Sequence, residues 1–321
     1  MVTTVIVGPT AVGKSALAMA LARRCRSAGA DAEIVNADSM LVYRGMDIGT
    51  AKPTVAEQGG VVHHLVDIWD FRQTATVANF QALARTAIAD CEHRGAIPIV
   101  VGGSALYVRA VVDDFQFPGT DPAVRGGLEQ ELAELGPERL HDRLRELDPA
   151  AAERIEPANG RRTVRALEVI ALTGAPYAAS LPEHDYLLPG VVQLGLTIDR
   201  PALDARIEAR VAGMWAAGLV AEVRELAEHG LRDGVTASRA LGYRQVLAYL
   251  DGRIDEAQAQ AETVTGTRKF ARRQYSWYRR DPRIHWLSYD QPDLVEAAYA
   301  LAGPDGTGVS DATRAGSELT D

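Results

Sequence analysis

The stretch GPTAVGKS, Gly8–Ser15, limits what this chain can fold into more than any other. It has the spacing G-x-x-x-x-G-K-[ST] of a P-loop. Before it, Val5–Val7 reads as a short buried strand, and after it ALAMALARR reads as a helix. A loop held between strand and helix in this way is a phosphate cradle. Gly8 and Gly13 permit a tight turn, so that backbone N–H groups approach phosphate oxygens. The helix starting near Lys14 points its positive end at the same anion. Lys14 neutralises phosphate charge, and the Ser15 hydroxyl is placed to hold Mg²⁺.

The motif specifies a polyphosphate without saying which. The next segment narrows the choice. Glu33–Ala37 reads as a second strand, ending in Asp38-Ser39 and continuing SMLVYRGMDIGTAKP. An acid at the carboxyl end of a strand beside a P-loop lies over the phosphate site. Asp38 can hold Mg²⁺, take a proton from an acceptor substrate, or merely cap a turn.

Strand and helix patterns alternate to residue 114. Val61–Asp70 (VVHHLVDIWD) reads as a strand, Val77–Arg94 as an amphipathic helix, and Ile97–Ala110 (IPIVVGGSALYVRA) as a buried strand, a glycine turn and a helix start. Strands separated by helices predict an α/β fold, a P-loop NTPase-like, doubly wound parallel sheet. The Ile97 strand ends in Gly102-Gly103-Ser104 rather than in the acid that motor and switch ATPases use. The glycines allow close backbone approach to a ligand, and Ser104 offers a hydroxyl there.

At 321 residues the chain has room for such a domain and an insertion. Residues 115–190 supply an all-helical insertion, rich in Ala, Glu, Leu and Arg and punctuated by prolines. Arg161, Arg162 and Arg165 cluster at a helix start within it. Residues 191–302 return to the core. Val191–Pro201 reads as a buried strand, and the helix after it carries Arg206 and Arg210 on one face, where they could close over a phosphate or pair with Glu208 or Glu222. The tail 303–321 has almost no large apolar residues and is expected to be disordered.

The net charge of −9 argues against a nucleic-acid partner. Its distribution argues the other way. On the expected helix Val264–Arg280, Arg268, Lys269, Arg272, Arg273, Arg279 and Arg280 fall within about 140° of one another. Phe270, Gln274, Tyr275, Trp277 and Tyr278 take the rest, able to pack on the core. Six like charges on one face suit a nucleic-acid backbone. The two cysteines, Cys25 and Cys91, lack metal-ligand spacing and read as reduced thiols of a cytoplasmic protein. No stretch reaches membrane-spanning length, and a monomer is the default.

Eight motifs in order, GPTAVGKS, NADSMLVYRGMDIGTAKP, HHLVDI, VGGSALYVRA, RRTVRALEV, RIEARV, RALGYRQ and RRQYSWYRR, make residues 3–300 resemble the tRNA dimethylallyltransferases, in their compact bacterial form. The resemblance implies transfer of a dimethylallyl group from dimethylallyl diphosphate to N6 of adenosine 37, beside A36 in the anticodon loop of tRNA. It implies that the loop Gly8, Pro9, Thr10, Ala11, Val12, Gly13, Lys14 and Ser15 holds the diphosphate, with Mg²⁺ on Ser15. Lys14 and Arg210 would stabilise the leaving charge, Asp38 would act as base, and Ser104 would orient the reacting groups. tRNA contacts would come from Asp38, Ser39, Met40, Leu41 and Ser104. The helical insertion would clamp the anticodon stem-loop through Arg125, Arg161, Arg162 and Arg165. Arg239, Gly242, Tyr243 and Arg244, then Arg272, Arg273, Gln274, Trp277 and Arg279, would complete the set. The family commonly has Thr in place of Ser104 and Ser276, a change that keeps the hydroxyl. Two rivals remain: a small-molecule kinase filling the P-loop with ATP, and a non-catalytic RNA-binding protein.

Overall fold

The computed structural model describes residues 2–115, 117–177, 184–304 and 306. They group into two compact units, Met1–Asp113 with Tyr186–Asp321, and Asp114–Asp185. The larger unit opens with β1 Thr3–Val7, α1 Lys14–Ser27, β2 Ala32–Asn36, α2 Val55–Gln58, β3 His63–His64, α3 Val77–His93, β4 Ile97–Val101 and α4 Ala105–Val112. The smaller unit holds α5 Pro122–Leu135, α6 Pro137–Leu147, α7 Pro149–Arg154 and α8 Gly160–Thr173. The larger unit resumes with β5 Val191–Thr197, α9 Arg200–Ala216, α10 Leu219–Glu228, α11 Tyr243–Leu250, α12 Glu256–Tyr278, β6 Ile284–Ser288 and α13 Leu294–Ala302.

The six strands form one sheet in the order β3-β2-β4-β1-β5-β6, and every pairing is parallel. Strands β1, β2 and β4 are buried along their whole length; β4 reads as a continuous apolar run, IPIVV, while β1 and β2 also bury Thr3, Thr4, Glu33 and Asn36. After β1 the chain crosses β4's place to reach β2, and after β4 it crosses to β5 on the other side. The carboxyl end of β1 is therefore the switch point where such sheets bind ligands. One face packs Phe80, Ile88, Val108 and Tyr243 over the sheet, the other Leu17, Leu21 and Ala298. No helix among the described residues is long and apolar enough to cross a membrane.

The helical unit owes its shape to local chemistry. Proline stands at the start of α5, α6 and α7, where its missing N–H costs nothing. Asp121 caps α5, Asp148 caps α7 and Asn159 caps α8. Leu128, Leu140, Leu144, Ile155 and Leu167 form its own core. The unit ends at Asp185 rather than at residue 190, because Tyr186 already belongs to the larger unit. Tyr186 bridges Asp113, its ring lies 4.0 Å from the Arg283 guanidinium, and Leu187 N–H donates to the Val112 carbonyl at 2.8 Å.

Three expected elements change. Of Val61–Asp70, only His63–His64 is strand. Leu65 and Asp67 adopt left-handed backbone, φ 62° and 56°, and side chains take the carbonyls that a ladder would have used. Asn36 Nδ2 donates to the Leu65 carbonyl at 2.9 Å, and Arg44 to those of Asp67 and Ile68. The basic helix α12 starts at Glu256, not Val264, because Asp255 caps it by accepting the Gln258 N–H at 2.7 Å. The last helix starts at Leu294 rather than Gln291. The expectation for the tail, apart from Gly303, Pro304 and Gly306, lies outside the described residues.

Candidate active site

The P-loop leaves β1 through Gly8 at φ 142°, passes Ala11 in left-handed backbone at φ 66°, and enters α1 through Gly13 at φ 115°. A Cβ on Gly8 would meet the Leu196 carbonyl oxygen of β5 at 3.1 Å. Lys14 Nζ donates back to the carbonyls of Gly8 at 3.0 Å and Pro9 at 2.8 Å. Burial pushes its ammonium down to about 8, Asp38 works against that shift, and Arg210 adds to it. Arg210 is itself lowered by burial, with Asp38 opposing. Lys14, Arg210 and Asp38 thus share one electrostatic neighbourhood, although three separate elements supply them.

Helix α9 aims two of its arginines, Arg206 and Arg210, at the loop. Arg206 Nε donates to the Ala11 carbonyl at 2.8 Å. Arg210 reaches Thr10 Oγ1 at 3.4 Å and the Thr50 carbonyl at 3.1 Å. Neither takes Glu208 or Glu222 as a partner.

Asp38 follows the end of β2 and is held by Asn36. The Asn36 side chain accepts the Asp38 N–H at 2.8 Å and donates to the Asp38 carbonyl at 3.1 Å. Asp38 Oδ1 accepts the Met40 N–H at 2.8 Å. Its other oxygen has no recorded partner among the described residues, so one lone-pair face stays available. Asn36 was not singled out in the sequence; an Asn two residues before the acid was the signal. Asp38 also helps hold the Tyr107 and Tyr278 hydroxyls protonated. Burial, Tyr43 and Asp38 push Tyr107 up to about 12, and burial and Asp38 drive Tyr278 well above its usual range.

Backbone contact dictates Gly102, and the Gln274 side chain packs directly on Gly103. A Cβ on Gly102 would lie 2.6 Å from the Ala37 carbonyl oxygen, and one on Gly103 would lie 2.4 Å from Gln274 Nε2. Ser104 then caps α4 without a side-chain bond to it, which leaves its hydroxyl free of the helix. Ser15 is exposed on the first turn of α1, and its hydroxyl has no hydrogen-bond partner among the described residues. That donor suits Mg²⁺, which takes few protein oxygens and completes its shell with phosphate and water. A cluster with three metal-competent side chains, Glu33, His64 and Cys91, lies elsewhere, and there Arg94 already neutralises Glu33.

The residues expected to meet tRNA divide into two sets. Arg239, Arg244, Arg272, Arg273, Trp277 and Arg279 are exposed, as are Arg161 and Arg162 of the helical unit, while Ser39, Met40 and Leu41 are half-buried beside Asp38. Gln274, Tyr243 and Gly242 are buried. Gln274 accepts the Thr10 N–H at 2.8 Å and donates to the Gly103 carbonyl at 2.7 Å, so it ties α12 to the P-loop. Tyr243 donates its hydroxyl to Glu222 at 2.6 Å. Arg125 and Arg165 both pair with buried Glu168. Arg268, one of the six like charges expected to face a nucleic-acid backbone, instead pairs with Asp204 and Glu208. Trp277, expected to pack inward, is 44% exposed.

A family model described as IPP transferase matches residues 41–281. The tRNA dimethylallyltransferase of Thermobifida fusca (strain YX) is 61% identical over 296 residues, covering 92% of each chain. Among solved structures, the tRNA isopentenylpyrophosphate transferase of Bacillus halodurans aligns at a TM-score of 0.68 with 39% identity, over 94% of this chain and 96% of that one. A eukaryotic dimethylallyltransferase, solved acting on tRNA, aligns at 0.80 with 27% identity, over 93% of this chain and 78% of its own. The likeness to these relatives extends over more than nine tenths of the chain, and this chain belongs to the tRNA dimethylallyltransferase (IPP transferase) family, in its bacterial form.

Proposed function

We propose that this protein transfers a dimethylallyl group from dimethylallyl diphosphate to N6 of adenosine 37 of tRNAs with A36-A37, releasing diphosphate. The observation that carries the reading is that Lys14, bonded to the Gly8 and Pro9 carbonyls, and Arg210, reaching Thr10, converge on the P-loop, with Asp38 close enough to act on both charges. Two cations face the place where a leaving diphosphate gains charge, and a carboxylate with one free oxygen stands beside them.

The allylic C–O bond breaks with its electron pair going to the diphosphate oxygen, and the N6 lone pair forms the new N–C bond. Lys14 and Arg210 act on the diphosphate, where stabilisation of developing charge lowers the barrier. An ammonium titrating near 8 carries its charge at pH 7, and an incoming anion strengthens that protonation. Asp38 accepts the proton that N6 loses, through the oxygen that Met40 does not occupy. Ser104 donates or accepts beside the acceptor base. Mg²⁺ held by Ser15 and the diphosphate oxygens would add positive charge there.

The target adenine leaves its stack to reach the site. The exposed arginines of α12 answer tRNA phosphates, with Trp277 a stacking surface. Arg161 and Arg162 offer the helical unit's own contacts. Such a substrate suits a cytoplasmic monomer. The kinase rival is not favoured, because it has no use for these cations and the relatives described carry a tRNA transferase name.

The test is a product assay with Mg²⁺, unmodified tRNA and either dimethylallyl diphosphate or ATP, followed by digestion and mass analysis of nucleosides. An N6-dimethylallyl adenosine from the prenyl donor alone is expected. ATP consumed with no prenylated nucleoside would overturn the reading. Asp38→Asn keeps the shape and cannot take a proton, so transfer is expected to fall by about 10²–10⁴-fold while tRNA binding persists.

A further inference from the structure

Glu222 takes no part in the site as built so far. It stands on α10, and its carboxylate accepts three successive backbone N–H groups of the segment after Asp38. Oε2 takes those of Asp47 at 3.1 Å and Ile48 at 2.7 Å, and Oε1 takes that of Gly49 at 3.3 Å. Oε1 also accepts the Tyr243 hydroxyl at 2.6 Å. Tyr243 is fully buried, and a Cβ on Gly49 would lie 2.4 Å from its ring, so residue 49 must be glycine for the turn to close on it. The next residue, Thr50, turns its hydroxyl in to the Met46 carbonyl at 2.6 Å and its own carbonyl out to Arg210 at 3.1 Å. Arg210 also touches Thr10 of the P-loop. A continuous line of hydrogen bonds therefore runs from Tyr243 through Glu222 and the 47–50 turn to the guanidinium.

We propose that Glu222 is the positioning residue for Arg210, holding the 47–50 turn so that the Thr50 carbonyl aims the guanidinium at the diphosphate. Successive N–H groups in a turn form a nest for an anion, and here a side-chain carboxylate fills it permanently. Burial and the Glu222 charge drive the Tyr243 hydroxyl far above its usual range, so it remains a donor at every working pH. Glu222 itself touches no substrate. The inference rests on the transfer reaction proposed above, in which Arg210 meets the leaving group.

The test compares the wild type with Glu222→Gln, Arg210→Gln and the double variant, reading both the kcat of transfer and inorganic pyrophosphate binding by calorimetry. Gln keeps the size of Glu but turns an NH₂ towards amide donors. A misaimed guanidinium is expected to lower kcat on the order of 10²-fold and to weaken pyrophosphate binding about 10-fold. The double variant should be no worse than Arg210→Gln alone, because both changes remove one interaction. Tyr243→Phe removes only the hydroxyl and should give a loss of a few-fold, roughly, in the same direction; it serves if Glu222→Gln fails to fold. Losses that multiply in the double variant, or unchanged pyrophosphate affinity in the single variants, would overturn the proposal. If pyrophosphate binds through this line and no tRNA is prenylated, the reaction reading fails and the positioning role stands.

Discussion

The arginines of α8 and those of α12 look alike in the sequence and differ in what lies beneath them. On the inward face of α8, Glu168 is completely buried, and Arg165 and Arg125 both pair with its Oε2. Arg165 gives its remaining donors to the carbonyls of Pro118 and Gly119. Those two cations hold the helical unit together, and of the arginines of α8 only Arg161 and Arg162 stand exposed. On α12, Arg268 alone finds carboxylates, Asp204 and Glu208 of α9. Lys269, Arg272 and Arg273, with Arg279 and Arg280 just past its end, are exposed with no carboxylate partner among the described residues. A run of like charge thus becomes a surface for an outside anion only where no buried carboxylate answers it.

Removing that buried carboxylate breaks the contrast most severely. Glu168→Gln should cost about 3 kcal/mol of stability, because it leaves two partly buried guanidinium groups without their counter-charge. Thermal melting reads the effect. Burial works to raise the Glu168 pKa, and the hydrogen bonds from Arg125 and Arg165 overcome it, leaving it below the usual carboxylate range. A depressed carboxylate contributes fully above its unfolded value, about 4.3, and loses that contribution as pH falls through the folded value. The wild type should therefore lose melting temperature in acid more steeply than Glu168→Gln does. Equal slopes would mean that the pair carries no stability.

On α12 the expected effect falls on binding instead. Changing Arg272, Arg273 and Arg279 together to Gln should weaken tRNA about 50-fold at 0.15 M salt, ~2 kcal/mol, and flatten the salt dependence by about 2 units of slope. The melting temperature should not move. A variant that melts early with unaltered tRNA affinity would put α12 in the same class as the Glu168 cluster.

Arg161→Gln with Arg162→Gln sharpens the comparison within α8 itself. Both side chains are exposed, so a loss of tRNA affinity of roughly several-fold, ~1 kcal/mol, is expected without any change in melting. Filter binding across a salt series would show whether α8 meets RNA at all. The smallest effect belongs to Arg268→Gln. Its side chain is only partly exposed, but Glu208 is largely exposed and the pairs are single contacts, so stability should change by about 1 kcal/mol at most and the tRNA salt slope should stay as it is. A steeper loss of tRNA affinity there than in the triple variant would reverse the assignment of the stripe.

Much of the fold was readable because its signals are local. The β1–P-loop–α1 unit is written in eight residues, since glycine backbone, a lysine and a helix start must adjoin to hold phosphate. Helical patterns rich in Ala, Glu, Leu and Arg, punctuated by prolines, marked the helical unit. The segment Val61–Asp70 was misread for the opposite reason. Its alternation suits a strand, but Asn36, Arg44 and Lys52 claim its carbonyls and carboxylate from other parts of the chain. The early start of α12 was missed because EAQAQAET has no apolar periodicity, and its capping Asp255 was the sole cue.

By itself the sequence determined the phosphate cradle, the parallel α/β architecture, the acid beside the cradle and the family, because each depends on residues within a few positions of one another or on motifs in fixed order. Tertiary structure alone decided which polar side chains are free. Gln274 reaches Thr10 and Gly103, and Tyr243 reaches Glu222. Arg125 and Arg165 close on Glu168. Burial and ion pairing are set by segments that meet only when the sheet and helices pack, and a side chain's type does not say which distant partner will reach it first.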